Sequence, residues 1–318
     1  MPTGEGNRAS EARPRLFCFG FGFSATALAT RLRGRGWRIA GTCRGEEKRR
    51  RLEAAGIEAH LFDRGRPLAE PARALAGTTA LLISAPPDGL GDPVLDHHAE
   101  DISALRPAWI GYLSTTGVYG DTGGAMIDET APLAPTSERS RRRVAAEAAW
   151  LAFGRDHGLA VHLFRLAGIY GPGRSVFAQV RAGQARRIDR PGHLFSRIHV
   201  DDIARVLEAS LARPSAGAVY NVCDDEPAAQ ADVIAHACEL LGLPVPPLVA
   251  FEEARKEMSP MALSFWADNR RVDNARIKRE LGVRLACPDY RAGLRAVLAA
   301  EEDAGGTGDL GTGLSLHR

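Results

Sequence analysis

A glycine-rich segment near the start of the chain has the residue types that bind a pyrophosphate. It reads Gly20-Phe21-Gly22-Phe23-Ser24-Ala25, follows an apolar run at 16–19 and precedes a helix-like segment at 25–32. Gly20 would permit a tight turn, and Gly22 would let the backbone approach a phosphate at the start of the helix. The order of strand, glycine turn and helix predicts a dinucleotide site, with Gly20, Gly22, Phe23, Ser24 and Ala25 as cofactor contacts.

A basic residue follows the second predicted strand, which ends in Gly-Thr-Cys before Arg44. About 20 residues past the glycine turn, an NAD site carries an acid that binds the ribose hydroxyls. Arg44 stands there instead, with Lys48 and Arg49 close behind. Because a guanidinium binds a phosphate in bidentate fashion, the pattern favours NADP(H) over NAD(H). An ordinary solvated basic helix start is the alternative.

Other candidate cofactor contacts follow the third and fourth predicted strands. Asp63 ends the third strand, where it would either face the adenine or cap a helix. Ser84 and Ala85 end the fourth strand, and we predict that both contact the cofactor.

Hydroxyl side chains follow the fifth predicted strand in the run Ser114-Thr115-Thr116-Gly117. Ligands of an open parallel sheet bind at the carboxyl ends of its strands. Serine and threonine runs are also common in turns and caps, so the run alone does not establish a catalyst. Tyr119 follows closely, either as a proton donor or as a packing residue.

The elements that would position these residues alternate along the first half of the chain. Strands are predicted at 15–19, 38–43, 59–62, 80–84, 109–113 and 160–164. Helices are predicted at 25–32, 46–55, 69–75, 93–104 and 137–157. Such alternation predicts an α/β protein with a Rossmann-type, doubly wound parallel sheet.

After residue 165 the pattern loosens, and loops rich in glycine and proline separate the elements. Helices are predicted at 200–211, 230–241, 274–281 and 290–301, with one short strand at 219–222 among them. We expect an NAD(P)-binding Rossmann domain at 14–165 and a smaller C-terminal substrate lobe at 166–303, partly interwoven with the sheet domain. The segments 1–13 and 304–318 are predicted to be disordered.

Composition excludes several classes of protein. The 318 residues are 45% hydrophobic and 25% charged, with a net charge of only +2, so no nucleic-acid partner is expected. No apolar run approaches the roughly 20 residues of a membrane span. The five cysteines are scattered without a C-x-x-C pair, which suits the cytoplasm. Adjacent histidines, His97 and His98, point in different directions on a helix, so no metal site is expected.

Four later motifs resemble those of the extended short-chain dehydrogenases/reductases, the nucleotide-sugar epimerase/dehydratase superfamily. They are STTGVYG at 114–120, RLAGIYGPGR at 165–174, IHVDDIA at 198–204 and YNVCDDEP at 220–227, and they occur in family order. The resemblance covers most of the chain and implies the fold and a nicotinamide cofactor. It makes Thr115 the catalytic hydroxyl. We predict substrate contacts at Thr116, Ile169, Tyr170, Arg174 and His199. Arg174 could instead be an ordinary surface arginine, and His199 could instead orient the strand-to-helix connection.

One departure from the family pattern is as informative as the match. Relatives carry Tyr-x-x-x-Lys on the long helix, just before a small-small-Glu segment. Aligned on Ala-Ala-Glu at 145–147, the two positions hold Arg139 and Arg143. Four residues apart, they share one helix face. Arginine stays protonated, with a pKa above about 12, so Arg139 cannot serve as the acid or base. Arg143 could still bind the nicotinamide ribose. The alternative for both arginines is an ordinary solvated basic face of the helix.

These features lead to two hypotheses of different classes. The first is an epimerase/dehydratase-like oxidoreductase of the atypical branch, acting by hydride transfer on a small molecule that could be nucleotide-linked. Thr115 would orient the substrate oxygen, Arg143 the ribose, and the proton would come from Tyr119, the substrate or water. The second is a non-catalytic NADP(H)-binding sensor or regulatory module. The expected partner is a small molecule, with a homodimer left open.

Overall fold

The computed structural model of the protein describes residues 13–306. Its strands are β1 Arg15–Phe19, β2 Arg38–Cys43, β3 Glu58–Leu61, β4 Ala80–Ile83, β5 Trp109–Thr115, β6 Met126–Ile127, β7 Val161–Leu166, β8 Gly168–Tyr170, β9 Arg187–Asp189, β10 Arg197–His199, β11 Val219–Val222, β12 Leu248–Ala250 and β13 Arg271–Val272. Its α-helices are α1 Phe23–Arg33, α2 Glu46–Ala54, α3 Pro71–Leu75, α4 Pro93–Leu105, α5 Glu138–His157, α6 Phe177–Arg181, α7 Val200–Leu211, α8 Gln230–Leu240, α9 Phe251–Ala254, α10 Pro260–Trp266, α11 Ala275–Leu281 and α12 Tyr290–Gly306.

Seven of the strands form one parallel sheet in the order β11-β7-β5-β4-β1-β2-β3. The chain winds outward in one direction from β1 to β3 and in the other from β4 to β11. The strand order therefore reverses between β1 and β4, and ligands of doubly wound sheets bind at this switch point. The predicted Rossmann-type parallel sheet is confirmed.

Helices cover both faces of this sheet, which explains why its central strands are apolar throughout. All four residues of β4 are buried. Side chains of α1, α2, α7 and α11 pack in the core on one face, and those of α3, α4 and α5 pack on the other. Trp109 lies in the first core and Trp150 in the second. Strands buried on both faces read as continuous apolar runs rather than as alternating ones.

The second half of the chain contributes more to the main sheet and its packing than the sequence indicated. β11, expected among the elements of the lobe, instead pairs with β7 and forms an edge of the main sheet. Helix α7 packs against α1. A separate small core joins α6, α8 and α12 through Phe177, Ile234 and Leu294. The division of the chain at residue 165 remains a prediction.

Three short strand pairs, β8 with β10, β9 with β12 and β6 with β13, were not predicted. Each strand in them has only two or three residues, too few to show a period of two. The last helix also extends further than expected, because residues 304–306, predicted to be disordered, continue α12. The rest of the predicted disorder, at 1–12 and 307–318, lies outside the described residues.

Candidate cofactor and active site

The first glycine of the turn between β1 and α1 is required by packing. Gly20 has φ +87°, in the left-handed region that glycine adopts without strain. A Cβ there would lie 2.8 Å from the backbone nitrogen of Ala85, at the end of β4. The Gly20 N–H donates to Oγ1 of Thr42 at 2.8 Å, which ties the turn to β2. Ser84 and Ala85 both donate their N–H groups to the Phe19 carbonyl, so their backbone lies beside the turn.

The second glycine leaves open space where a phosphate could approach. Gly22 is the N-cap residue of α1 and offers no side-chain hydrogen bond to the helix. No heavy atom lies within 4 Å of a Cβ built on it. Behind it, Ser24 and Ala25 are buried, and Ala25 packs in the core. An unfilled cradle at a helix N-terminus fits the pyrophosphate of a dinucleotide, because the free N–H groups and the helix dipole favour an anion.

The region after β2 holds a cation that is free to bind a ligand. Arg44 is exposed, and its side chain has no acceptor among residues 13–306. Its backbone carbonyl accepts from Nη2 of Arg66 at 2.5 Å. By contrast, Arg49 is neutralised by Glu46 at 2.8 Å. Lys48 is half-buried, and burial lowers its pKa. Among Arg44, Lys48 and Arg49, only Arg44 is both exposed and without a carboxylate partner within residues 13–306.

Asp63 lies one residue beyond Phe62, after the end of β3, and its carboxylate is used within its own turn. Oδ1 accepts from the Gly65 N–H at 3.0 Å, and Oδ2 pairs with Arg66 at 3.1 Å. The carboxylate therefore caps a turn rather than a helix. The contact of Asp63 with an adenine remains a prediction.

Thr115, the predicted catalytic hydroxyl, is the last residue of β5. It is half-buried, and its Oγ1 accepts from the Gly117 N–H at 3.1 Å, which starts a short 3-10 turn over residues 116–119. The next hydroxyl, that of Thr116, belongs to a buried residue. The start of α5 packs on this turn, because a Cβ on Gly117 would lie 2.8 Å from Oγ of Ser140.

The two arginines at the family's Tyr and Lys positions have different environments on α5. Nη1 of Arg143 donates to the Tyr112 hydroxyl at 3.0 Å and to the Leu113 carbonyl at 2.8 Å, at the end of β5. Its other N–H groups have no acceptor in the described part of the chain. Burial raises the pKa of the Tyr112 hydroxyl, and the Arg143 cation opposes that shift. Arg139 is exposed and lies over the ring of Phe265 at 5.9 Å.

Tyr119, named as a candidate proton donor, is instead part of a buried network. Its side chain is 1% exposed, and its hydroxyl donates to Oδ1 of Asn221 at 2.7 Å and accepts from Arg165 at 2.8 Å. Burial raises its pKa. The geometry therefore corrects this prediction, because the Tyr119 hydroxyl is enclosed in the core and is already bonded to Asn221 and Arg165.

The rest of that network was missed from the sequence. Arg165 pairs with Glu147 at 2.8 Å, and both side chains are buried. Oε1 of Glu147 also accepts from the Ser114 hydroxyl at 2.5 Å. Buried charges are retained when they are paired and hydrogen-bonded. The signal was present, since Arg165 begins a family motif and Glu147 ends the small-small-Glu segment, but nothing in the sequence shows that the two meet.

The predicted substrate contacts divide into two groups. His199 is 1% exposed and caps α7, with Nδ1 accepting from the Asp201 N–H at 3.3 Å. The Tyr170 and His199 rings are nearly perpendicular, with their centroids 5.3 Å apart, so this pair organises the start of α7. Ile169 is half-buried. Arg174 is exposed, and its guanidinium lies 5.8 Å from the ring of Phe23, beside the glycine turn.

Within residues 13–306, no group of three or more His, Cys, Asp or Glu side chains is arranged to hold a metal ion. Across the same residues, no helix combines the length and the apolar character needed to cross a membrane.

The chain is similar to several known proteins. The family model described as the NAD dependent epimerase/dehydratase family matches residues 102–223. A structure of a conserved protein of unknown function from Silicibacter pomeroyi is 52% identical, covers 90% of this chain and 99% of its own, and has a TM-score of 0.83. Protein YeeZ of Escherichia coli is 28% identical over 82% of this chain and 92% of YeeZ.

A more distant likeness shows the fold alone. UDP-glucuronic acid 4-epimerase from Bacillus cereus, in complex with UDP-glucuronic acid and NAD, is 13% identical. The match covers 91% of this chain and 99% of that enzyme, with a TM-score of 0.73. The glycine turn and the switch-point sheet agree with the match of residues 102–223 to the NAD dependent epimerase/dehydratase family.

Proposed function

We propose that the protein binds NADP(H) at the glycine turn and transfers hydride to or from a carbon that bears oxygen in a small substrate. The observation that carries this proposal is the convergence of three elements at one edge of the sheet. The open cradle at Gly22 follows β1. Thr115 ends β5, and Arg143 reaches the end of β5 from α5. Carboxyl ends of parallel strands meet at the same edge of a sheet.

The cofactor's two ends would meet different parts of the chain. The turn at Gly20 and Gly22 would hold the pyrophosphate, with Ser84 and Ala85 beside it. Arg44 would bind the 2′-phosphate, since its guanidinium is exposed and without an acceptor in the described chain. Arg174 would place a second cation near the pyrophosphate, because its guanidinium lies over the ring of Phe23 at the turn.

At the reacting end, Arg143 would hold the nicotinamide ribose and Thr115 would orient the substrate oxygen. Nη1 of Arg143 is fixed by Tyr112 and Leu113, which leaves its remaining N–H groups to donate to ribose hydroxyls. The Thr115 oxygen accepts from Gly117, which leaves its hydrogen free to donate to a carbonyl oxygen. The bound cofactor would supply or accept the hydride at its nicotinamide ring.

In the reducing direction, the substrate carbonyl carbon gains the hydride while its oxygen gains one proton, so an alcohol and the oxidised cofactor result. Arg139 stays protonated and cannot cycle as an acid. Tyr119 is enclosed in the core. The proton would therefore come from water through Thr115, either directly or by way of a substrate hydroxyl that water then reprotonates.

Calorimetric titration with NADPH and NADH, followed by stopped-flow oxidation of NADPH with a panel of carbonyl compounds, tests the proposal. We expect saturable binding, a preference for NADPH, and measurable turnover of at least one nucleotide-linked or phosphorylated carbonyl. Absence of binding to either dinucleotide would refute the cofactor site. The cytoplasmic location and the homodimer remain predictions from the sequence.

A non-catalytic NADP(H)-binding module is the second candidate. The observation in its favour is that the family's Tyr position holds Arg139 and that the nearby phenols, Tyr112 and Tyr119, have pKa values raised by burial. A module of this kind would bind NADPH with the same preference. It would show no hydride exchange with any carbonyl, which distinguishes it from the enzyme.

A further inference from the structure

One cation at the start of α5 has no carboxylate partner within residues 13–306. Four arginines lie close together there, at 139, 141, 142 and 143. The single carboxylate of Glu138 takes two of them, with Oε2 accepting from Arg141 at 3.0 Å and Oε1 from Arg142 at 3.1 Å. Arg143 is held by the end of β5. Arg139 has no hydrogen-bond acceptor and no carboxylate partner in the part of the chain that the structure describes.

The surroundings of Arg139 hold its guanidinium in place without neutralising it. The guanidinium lies 5.9 Å from the centroid of the Phe265 ring, on α10. That ring is 57% exposed, and Met261, one helical turn earlier, is 70% exposed. A guanidinium that lies over an aromatic ring still has N–H groups available to an acceptor. An exposed apolar face and a free cation thus lie next to each other.

The position of Arg139 on α5 relates it to the proposed reaction site. The neighbouring residue, Ser140, contacts the turn that follows Thr115 at Gly117. Arg143 lies one helical turn further along the same face of α5. Sequence comparison put Arg139 at the position where relatives have the residue that exchanges a proton with the substrate. A group bound by Arg139 would therefore belong to the molecule that reacts at Thr115.

We propose that the substrate carries an oxyanion, a carboxylate or a phosphate, that Arg139 binds while Phe265 contacts the adjoining apolar part. This inference rests on the proposed function, because it places the oxyanion on the reacting molecule. A bidentate pair between a guanidinium and a carboxylate or phosphate is both strong and directional, and the planar fork of arginine matches either group. The residue that replaced the acid would thus recognise the substrate.

The test uses the full chain, saturated with NADPH and labelled with ¹⁵N, so that the Nε–H signals of the arginines can be followed by NMR. Inorganic phosphate and acetate are titrated separately at constant ionic strength, and the Arg139 signal is identified from its absence in Arg139→Lys. We expect a saturable shift at Arg139 and little at Arg141. In Arg139→Gln the affinity for the anion, measured by calorimetric titration, should fall about tenfold or more. In the matched control Arg141→Gln it should change by less than about twofold.

The two probes distinguish the two sources of the oxyanion. A response to phosphate alone supports a phosphorylated substrate, a response to acetate alone supports a carboxylic acid, and a response to both supports an oxyanion site that accepts either. No saturable shift at Arg139, or equal losses in Arg139→Gln and Arg141→Gln, would overturn the inference. The NADPH dissociation constant is measured in the same samples. If NADPH binds while the anions do not, only the oxyanion inference fails, and if NADPH itself does not bind, the proposed function fails first.

Discussion

The glycine turn after β1 and the arginine-rich start of α5 lie at the same edge of the sheet, but they depend on different parts of the chain. At the turn, the decisive contacts are made by the backbone: Gly20 fits against Ala85, and Gly22 leaves a space empty. On α5, Ser137 caps the start of the helix, and the chemistry of the site depends on the side chains at 139 and 143.

This difference explains why one region matches the family pattern and the other does not. The backbone cradle needs glycine at positions 20 and 22, because a side chain at either position would obstruct the turn or the space for the phosphate. A helix face accepts many side chains at little cost in stability, and arginine is a good helix former. The chemistry at α5 can therefore change while the fold and the cofactor site stay the same.

The largest effect is expected at the turn. Gly22→Val should weaken NADPH binding by about a hundredfold or more, because a side chain would displace the phosphate from at least two charge-assisted hydrogen bonds. The fold should survive, since Gly22 has φ −107° and no neighbour within 4 Å of its Cβ position. Calorimetry and thermal unfolding measure the two effects.

Gly20→Ala is the contrasting variant for that experiment. Its Cβ would meet the Ala85 nitrogen at 2.8 Å with φ +87°, so it should lower the unfolding temperature as well as the affinity. Unchanged NADPH affinity in Gly22→Val would show that the dinucleotide does not bind at this turn.

The next effect concerns the choice of cofactor. The wild-type protein should prefer NADPH over NADH by about tenfold to a hundredfold, because a charge-assisted bond from Arg44 to the 2′-phosphate is worth about 1.5–3 kcal/mol. Arg44→Asp should invert the order by adding repulsion. Arg50→Asp, which makes the same change in charge at an exposed position on α2, should keep it. Equal dissociation constants for the two dinucleotides in the wild type would contradict this prediction.

Restoring the family's residues on α5 tests whether the arginines have a role of their own. The double variant Arg139→Tyr with Arg143→Lys should transfer hydride about tenfold more slowly than the wild type. Arg143 uses Nη1 for Tyr112 and Leu113, which leaves Nε and Nη2 for the proposed contact with the ribose. Lysine has a single nitrogen for all of these contacts. Stopped-flow oxidation of NADPH measures the rate, with Arg141→Lys as the control. A double variant faster than the wild type would instead indicate that the wild-type protein is inactive because it lacks the general acid.

The smallest effect on catalysis is expected at Tyr119. Tyr119→Phe should leave the rate of hydride transfer within about twofold, because a buried hydroxyl is not a general acid for the cleft. It should still lower the free energy of unfolding by about 1–3 kcal/mol, since Asn221 and Arg165 lose a buried partner. Chemical denaturation and steady-state kinetics measure the two quantities. A rate loss of a hundredfold or more in a stable variant would restore Tyr119 as the proton donor.

Much of the fold could be predicted because its signals are local. Apolar runs marked the first strands, and helix α7 was predicted with the bounds that the structure shows, Val200–Leu211. The glycine turn was also visible, since its requirements concern consecutive residues. The two-residue and three-residue strands were missed because they are shorter than the period that would reveal them.

The sequence by itself determined the alternation of strands and helices, the backbone cradle at Gly20 and Gly22, and the replacement of the family's Tyr and Lys by Arg139 and Arg143. Only the tertiary structure decided that β11 joins β7, that Tyr119 is enclosed by Arg165 and Asn221, and that Glu138 pairs with other arginines while Arg139 has no carboxylate partner in the described chain. The physical reason is distance. Local patterns specify backbone conformation, whereas the partner of a strand, a hydroxyl or a charge is chosen by proximity in the folded chain.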